Sequence, residues 1–178
     1  MHVRFTTAVG LPVFDDDASE VVGMLSGIFL HPDTGKVEGF FVRTQTNFGK
    51  QQLFLSSLDI RRWGLRVVIR SADMLSPLED RVRLRTLLDE RRFILDQRIL
   101  TDTGRYLGTC RDVQFDTDLF MVEWIWPKKW WRWGMPIALS QILEVRRDAI
   151  IVRDPSAPAP EKATPVPNPL LNRLPDAA

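Results

Sequence analysis

The sequence predicts a mainly β fold in which two tandem copies of one small β-barrel are joined by an α-helical linker and followed by a disordered, proline-rich tail. Three observations predict it: an internal repeat, short apolar runs separated by turn residues, and a helix-start signal between the two copies. We expect the first barrel at residues 1–75, the linker at 76–92, the second barrel at 93–153 and the tail at 154–178.

The repeat appears when the 178-residue chain is compared with itself at an offset of 85 positions. Seven identities fall within the 40 positions from 23 to 62, without a gap, where chance would give about two or three. The identical pairs are Gly23 and Gly108, Asp33 and Asp118, Val37 and Val122, Glu38 and Glu123, Leu58 and Leu143, Arg61 and Arg146, and Arg62 and Arg147. Apolar positions also stay apolar between the copies, so we expect the same strands in each.

Each copy contains about five apolar runs of strand length, bounded by turn residues. In the first copy, Pro32, Asp33 and Gly35 supply a hairpin turn between two of these runs. Gly23 and Gly108 are expected where a barrel wall bends. The predicted strands are 13–14, 21–30, 37–43, 53–55 and 65–69 in the first copy, and 98–100, 106–115, 119–126, 135–139 and 149–152 in the second.

The linker and the tail have opposite composition. Ser76, Pro77 and Glu79 match a capping box with proline at the first helical position, so a helix is predicted from there to about Arg91. Seven of the twelve prolines follow Asp154 among small residues without an apolar period, which is typical of an unstructured segment.

Charge and cysteine content restrict the possible functions. The 24 Lys and Arg residues nearly balance the 23 Asp and Glu residues, so no overall field draws the chain to nucleic acid or to an anionic membrane. Cys110 is the single cysteine, and the two histidines are distant in sequence, so neither a disulfide nor a Cys/His metal site is expected. The chain also shows no signal-peptide pattern and no apolar run of about 18 residues, which favours a cytoplasmic protein.

With both copies laid out, the sequence resembles the PRC-barrel family. The motifs in the first copy are Leu11-Pro12-Val13-Phe14, Gly23, Asp33-Thr34-Gly35-Lys36-Val37, Leu58-Asp59-Ile60 and Val67-Val68-Ile69. Those in the second are Thr101-Asp102-Thr103-Gly104, Leu107-Gly108, Asp112-Val113 and Ile150-Ile151-Val152, so the resemblance covers about residues 8 to 153. The second copy departs from the family where it lacks the Thr-Gly-Lys turn and carries a tryptophan-rich segment.

The resemblance implies two PRC-type barrels and a role in binding. Members of the family serve as adaptors: one is the cytoplasmic barrel of the photosynthetic reaction-centre H subunit, and another is the C-terminal barrel of a ribosome-maturation factor. A shared fold does not identify the partner.

The usual catalytic and metal-binding arrangements do not occur in the sequence, so no catalytic residue, no metal site and no cofactor is expected. His31 lies in a turn, where a solvated side chain is expected. Cys110 lies in an alternating strand and is expected to be a small buried apolar residue. The acidic run 15–17 lacks the glycine and the final glutamate of a calcium loop.

One segment, residues 124–134, holds five of the six tryptophans and three cations. Alternation predicts that Ile125 points inward and its neighbours Trp124 and Trp126 outward. These indoles could pack on the first copy or on the linker, could form an exposed surface that recognises a protein or a membrane interface, or could stack on single-stranded RNA. The candidate partner-binding residues are Trp124, Trp126, Lys128, Lys129, Trp130, Trp131, Arg132 and Trp133.

We therefore expect a non-catalytic adaptor that binds a protein partner through this segment and the groove between the barrels. The alternative is a peripheral membrane-associated or ribosome-associated factor that uses the same aromatic and cationic side chains. Specific DNA binding is not expected, because the arginines of the linker are nearly cancelled by its acidic residues. The sequence leaves the oligomeric state open.

Overall fold

A computed structural model describes residues 1–46 and 49–154 of the chain. This part is mainly β, as the sequence predicts. The strands are β1 (His2–Arg4), β2 (Pro12–Asp15), β3 (Glu20–Leu30), β4 (Val37–Thr46), β5 (Gly49–Ser56), β6 (Ile60–Trp63), β7 (Val67–Ile69), β8 (Arg98–Thr101), β9 (Tyr106–Asp116), β10 (Met121–Lys129), β11 (Arg132–Trp133), β12 (Ile137–Ala138), β13 (Ile142–Val145) and β14 (Ala149–Val152).

The helices are short. They are α1 (Phe5–Ala8) and α2 (Val82–Glu90), with 3-10 turns at Ser57–Asp59, Ala72–Met74, Leu78–Asp80 and Leu139–Gln141. None of the helices described is long and apolar enough to cross a membrane.

The two halves of the chain form one sheet each, and both sheets have the same strand order. The first runs β5-β4-β3-β2-β7-β6, and the second runs β11-β10-β9-β8-β14-β13, with β12 beside β10 and β1 beside β9. Each sheet contains one parallel pair, β2 with β7 and β8 with β14. Met24 pairs with Arg43, and Thr109 pairs with Lys128, which is the same pair 85 residues later. The sequence repeat is therefore a structural duplication.

Each half is an open sheet and not the closed barrel that the sequence predicts. In the part of the chain described, β5 and β6 form the two ends of the first sheet and do not pair with each other. The second sheet likewise ends at β11 and β13. Alternating apolar residues show only that one face of a strand is buried. In this protein, part of that face is covered by the other half.

The sheets join at the turns that precede β4 and β10. The Val37 N–H donates to the Phe120 carbonyl at 2.7 Å, and the Val122 N–H donates to the Gly35 carbonyl at 2.9 Å. Each residue of one bond is replaced in the other by its repeat counterpart, Val37 by Val122 and Phe120 by Gly35, and the antiparallel bridge between Lys36 and Met121 lies between the two bonds. Such an exchange is what a local twofold axis requires, so the halves are arranged like the subunits of a symmetric dimer.

Aromatic rings continue this contact into the interior. The Phe115 ring lies 5.7 Å from Phe40 and 5.6 Å from Trp63, and the Phe120 ring lies 6.2 Å from both of these. Pairs of this kind contribute about 0.5–1.5 kcal/mol beyond the area that they bury. One apolar cluster consequently includes residues of both halves, where the sequence predicts a separate interior for each.

The segment that precedes the first half crosses to the second half. β1 pairs with β9 of the second sheet. The N-terminal amine of Met1 lies 3.0 Å from the Asp118 carboxylate, and His2 Nδ1 lies 2.8 Å from Glu123 Oε2. The sequence did not predict β1 or α1, because nothing local shows that their partners lie more than 100 residues away.

The linker, which precedes the second half, crosses in the opposite direction. Arg92 donates two hydrogen bonds to the Asp33 carboxylate, at 2.6 and 2.7 Å, and Arg83 donates one to Glu38 at 2.6 Å. The hydrogen bonding of Arg92 lowers the pKa of Asp33. Asp33 and Glu38 are the repeat counterparts of Asp118 and Glu123, which hold the N-terminal segment. The identities of the repeat at these positions therefore mark where the segment that precedes each half is anchored.

The linker helix starts later than the capping signal predicts. Ser76 exchanges backbone hydrogen bonds with Phe54 at 2.7 and 3.2 Å, which holds it in an extended bridge. The chain then makes the 3-10 turn, and α2 follows and ends at Glu90, after which Arg91, with a φ of +53°, forms a left-handed cap. Leu78 and Leu84 are buried against Phe29 and Phe54 on the outer face of the first sheet.

The predicted tail, 154–178, lies outside the described residues apart from Asp154. That residue is 8 % exposed, and its carboxylate accepts hydrogen bonds from Arg105 and Thr103, both at 2.8 Å.

Gly23 and Gly108 are equivalent and are glycine for the same steric reason. A Cβ at Gly23 would lie 2.8 Å from the Arg43 carbonyl oxygen, and a Cβ at Gly108 would lie 2.9 Å from that of Lys128. A side chain at either position would push the neighbouring strand of the sheet away.

We expect Gly23→Ala to lower the free energy of unfolding by about 1–3 kcal/mol, because the new methyl group clashes with backbone. Gly64→Ala is the matched control, since a Cβ at Gly64 meets nothing within 4 Å. Urea denaturation followed by circular dichroism measures both. Equal stability of the two variants would contradict the steric explanation.

Candidate functional site

The candidate site is a β-hairpin, residues 128–133, which we call the tryptophan hairpin. Lys128 pairs with Trp133, and Lys129 pairs with Arg132, so that Trp130 and Trp131 form a two-residue turn between β10 and β11. The sequence predicts a strand that ends at residue 126. In the structure β10 continues to Lys129 and the chain folds back along it.

The tip of the hairpin is exposed and aromatic. Trp130 is 82 % exposed and Trp131 is 78 % exposed. Their ring centroids are 6.2 Å apart, and the ring planes are inclined at 76°, so the two rings meet edge to face. Trp130 has a φ of +58°. Glycine, asparagine or aspartate normally occupies such a turn position, so the hairpin holds a tryptophan there against the backbone preference.

The base of the hairpin is fixed to the scaffold by Arg4. Its guanidinium carbon lies 4.2 Å from the ring centroid of Trp126 and 4.8 Å from that of Trp133. Arg4 Nε also donates a hydrogen bond of 2.7 Å to Asp112. One side chain of the N-terminal segment therefore holds two of the candidate tryptophans in place.

Asp112 is a fully buried carboxylate. Besides the bond from Arg4, it accepts hydrogen bonds from the Thr6 N–H at 2.9 Å, the Thr6 hydroxyl at 2.5 Å and the Val113 N–H at 2.9 Å. A buried charge is tolerated when it is paired and fully hydrogen-bonded in this way. Asp112 thus locks β1 and α1 onto the second sheet, beneath the hairpin.

Sequence reasoning missed Arg4 and Asp112. Asp112 was noted only within the Asp112-Val113 motif of the resemblance, and it aligns with Gly27 of the first copy, so the repeat gave no reason to expect a buried acid. The contact joins residues 108 positions apart in the sequence.

Three cations, Lys128, Lys129 and Arg132, flank the tip. The ammonium of Lys128 lies 5.2 Å from the Trp133 centroid, and that of Lys129 lies 5.6 Å from the Tyr106 centroid. None of the three forms a salt bridge with an acidic side chain in the described part of the chain. Their charges are available to a partner.

Open grooves lie on both sides of the hairpin. One has a volume of about 480 Å³ and includes Leu107, Trp131 and Arg132 in its lining. The other has a volume of about 530 Å³ and includes Tyr106 and Arg111. The described residues that line these grooves are aromatic, apolar, polar or cationic, with no Asp or Glu among them.

Trp124 is set apart from the tip. It is 38 % exposed and pairs with Ala138 of β12, whereas Ile125 beside it is fully buried, as the alternation predicts. Lys128 lies four positions along the strand from Trp124, a distance of roughly 13 Å. The eight candidate residues thus divide into an exposed tip, cationic flanks, an anchored base and this lateral tryptophan.

The first half contains the equivalent hairpin with different chemistry. By register, Arg43, Thr44 and Gln45 stand where the second half has Lys128, Lys129 and Trp130. A groove of about 500 Å³ lies beside them and is lined in part by exposed Val21 and Met24. Gln45 pairs with Lys50 and Thr46 pairs with Gly49, so this hairpin continues two residues beyond the point where the tryptophan hairpin turns, and its own turn lies outside the described residues.

The other residues considered for chemistry have structural contacts. His31 Nδ1 accepts a hydrogen bond from the Asp33 N–H at 3.2 Å within the hairpin turn. The Asp15 carboxylate accepts from the N–H groups of Ala18 and Ala72, at 2.9 and 2.7 Å, and these bonds lower its pKa. Among the described residues, no group of three His, Cys, Asp or Glu side chains is arranged to hold a metal ion.

We expect Trp130→Asn to raise the free energy of unfolding by up to about 1 kcal/mol, because asparagine tolerates the left-handed conformation better. Trp131→Asn is the control, since it removes the same ring contact from a residue without a positive φ. Thermal and urea unfolding compare the two variants. A Trp130→Asn protein less stable than Trp131→Asn would show that the turn does not strain the tryptophan.

Cys110 should be chemically inert in the folded protein. Its thiol is fully buried, and burial raises its pKa to about 12. We expect iodoacetamide at pH 8 to leave the native chain unlabelled, with labelling appearing only across the urea unfolding transition. Rapid alkylation without denaturant, detected by mass spectrometry, would contradict this placement.

No protein-family model matches the chain, and no curated protein matches it. The resemblance to the PRC-barrel family therefore stays a prediction from the motifs.

Proposed function

We propose that the chain is a non-catalytic adaptor whose duplicated scaffold presents the tryptophan hairpin for docking onto a partner surface. The observation that carries the proposal is the pair of exposed indoles at 130 and 131, held on a turn that includes a positive φ. Backbone strain at an exposed aromatic residue favours a functional reason over a folding reason.

The division between base and tip supports docking. Arg4 and buried Asp112 fix the base, so the tip enters a contact with little loss of conformational freedom. Tryptophan and arginine are the residues most enriched at binding hot spots, and truncation of one such side chain typically costs about 2 kcal/mol or more. Two indoles and three cations that pair with no acidic side chain in the described ranges are enough to supply a specific contact.

The non-catalytic part of the proposal is supported by how the buried ionisable groups are used. Asp112 holds the N-terminal segment, and Glu38 holds the linker through Arg83. Both carboxylates are occupied by contacts within the scaffold. The single buried thiol also suits a reducing compartment, and we place the protein in the cytoplasm on that basis.

We include membership of the PRC-barrel family in the proposal. It is supported by the motif that occurs twice and by the strand order common to both halves. The open sheets are a departure from closed barrels, and the family in any case suggests an adaptor role without a specific partner.

The docking test compares Trp130→Gln/Trp131→Gln with Leu58→Gln/Leu65→Gln. Both double variants remove two exposed apolar side chains, one pair from the hairpin and the other from the first half. In lysates of cells that make the full chain, we expect the hairpin variant to lose at least about tenfold in the ratio of bound to free protein, measured by density-gradient sedimentation.

The control variant should keep the wild-type distribution to within about twofold. If both variants sedimented like the wild type, the hairpin would not be the docking surface.

A further inference from the structure

The side chains of the tryptophan hairpin change in character with distance from its tip. Trp130 and Trp131 form the tip, Lys129 and Arg132 form the first pair behind it, and Lys128 and Trp133 form the next. The order is therefore aromatic, then cationic, then a cation over an indole that is anchored to the scaffold.

We infer that this hairpin inserts its tip into the surface of an anionic phospholipid bilayer. The inference rests on the proposed docking function and identifies the partner. Trp130 and Trp131 enter the boundary between headgroups and acyl chains, while Lys128, Lys129 and Arg132 contact the lipid phosphates.

The aromatic tip of the hairpin and the cations behind it match the two regions of a bilayer surface, the acyl-chain boundary and the headgroups. Indole rings are enriched at membrane interfaces, where the ring is buried and its N–H stays near polar groups. Lys and Arg place their charges at the headgroup level while their stems lie along apolar surface. Each cation near an anionic leaflet strengthens binding roughly fivefold, and the hairpin carries three cations without a salt bridge to any described residue.

The all-round exposure of the tip favours a bilayer over a protein pocket. Both indoles are about four-fifths exposed, and open grooves lie on both sides of the hairpin. A bilayer surrounds an inserted tip on every side, whereas a protein partner must enclose it in a matching acidic cavity.

The same geometry is unfavourable for RNA. The two rings are inclined at 76°, so they offer no pair of parallel faces for successive bases. Three cations also make a short track for a phosphate backbone, and the whole chain has a net charge of only +1.

The experiment uses the purified full chain and vesicles of two compositions, phosphatidylcholine alone and phosphatidylcholine with about 30 % phosphatidylserine. Vesicle co-sedimentation gives the apparent Kd. We expect at least about tenfold tighter binding to the anionic vesicles, and this preference should weaken as salt is raised from about 50 to 500 mM. Equal affinity for both vesicles would overturn the inference.

Two variants separate the contribution of the aromatic tip from that of the cations. Trp130→Gln/Trp131→Gln should lose at least about tenfold in affinity for anionic vesicles. Lys128→Gln/Lys129→Gln/Arg132→Gln should lose roughly a hundredfold, at about fivefold for each cation. The control is Arg43→Gln/Lys50→Gln, which removes two cations of the equivalent hairpin in the first half and should change affinity less than about threefold. Circular dichroism and thermal unfolding check that every variant is folded.

Insertion depth is measured by quenching of tryptophan fluorescence with brominated lipids. The wild type should be quenched, and the Trp130→Gln/Trp131→Gln variant should lose most of that quenching although it keeps four tryptophans. Binding that is unaffected by this variant would place the lipid contact elsewhere and would overturn the inference.

The two proposals can fail separately. If the chain ignored both vesicle compositions while the hairpin variant still lost its docking in lysates, the partner would not be lipid and the docking function would stand. Docking abolished by protease treatment of the partner fraction would identify a protein instead, and loss after nuclease would identify RNA. If the hairpin variant changed neither vesicle binding nor docking, both proposals would be wrong.

Discussion

Two backbone hydrogen bonds at the starts of β4 and β10 determine how the rest of the molecule is arranged. They set two open sheets against each other about a local twofold axis. An open sheet of this size leaves part of its apolar face uncovered, and the twofold contact brings Phe40 and Phe115 together over that face. The shared core therefore follows from pairing between the halves as well as from the strand order within each one.

The same axis explains why the N-terminal segment and the linker each cross to the opposite half. The crossing of the N-terminal segment also connects the scaffold to the candidate site. Asp118 and Glu123 hold the N-terminal segment on the second half. Their repeat counterparts, Asp33 and Glu38, hold the linker on the first half. Most of these ion pairs are partly exposed, so each adds little to stability, and their effect is mainly to position the segments. Positioning matters at Arg4, because this residue comes with β1 and fixes Trp126 and Trp133.

Local signals in the sequence predicted the duplication, most strands and the tryptophan segment. They did not predict the open sheets, because alternation shows that a face is buried and not what covers it. β6 and β13 were missed since adjacent charged residues, such as Arg61 and Arg62, obscure the pattern of an edge strand. The two-residue turn and the role of Arg4 depend on register and on contacts across more than 100 positions, which composition does not reveal.

The position of the tryptophan hairpin in the second half has a consequence for orientation. Two separate identical subunits related by a twofold axis would carry aromatic tips in duplicate, and neither end of the assembly would be distinguished. In the fused chain the equivalent positions carry different residues, because Lys128, Lys129 and Trp130 of the second half stand where the first half has Arg43, Thr44 and Gln45. A contact made through the tryptophans therefore reaches the molecule from the side of the second half.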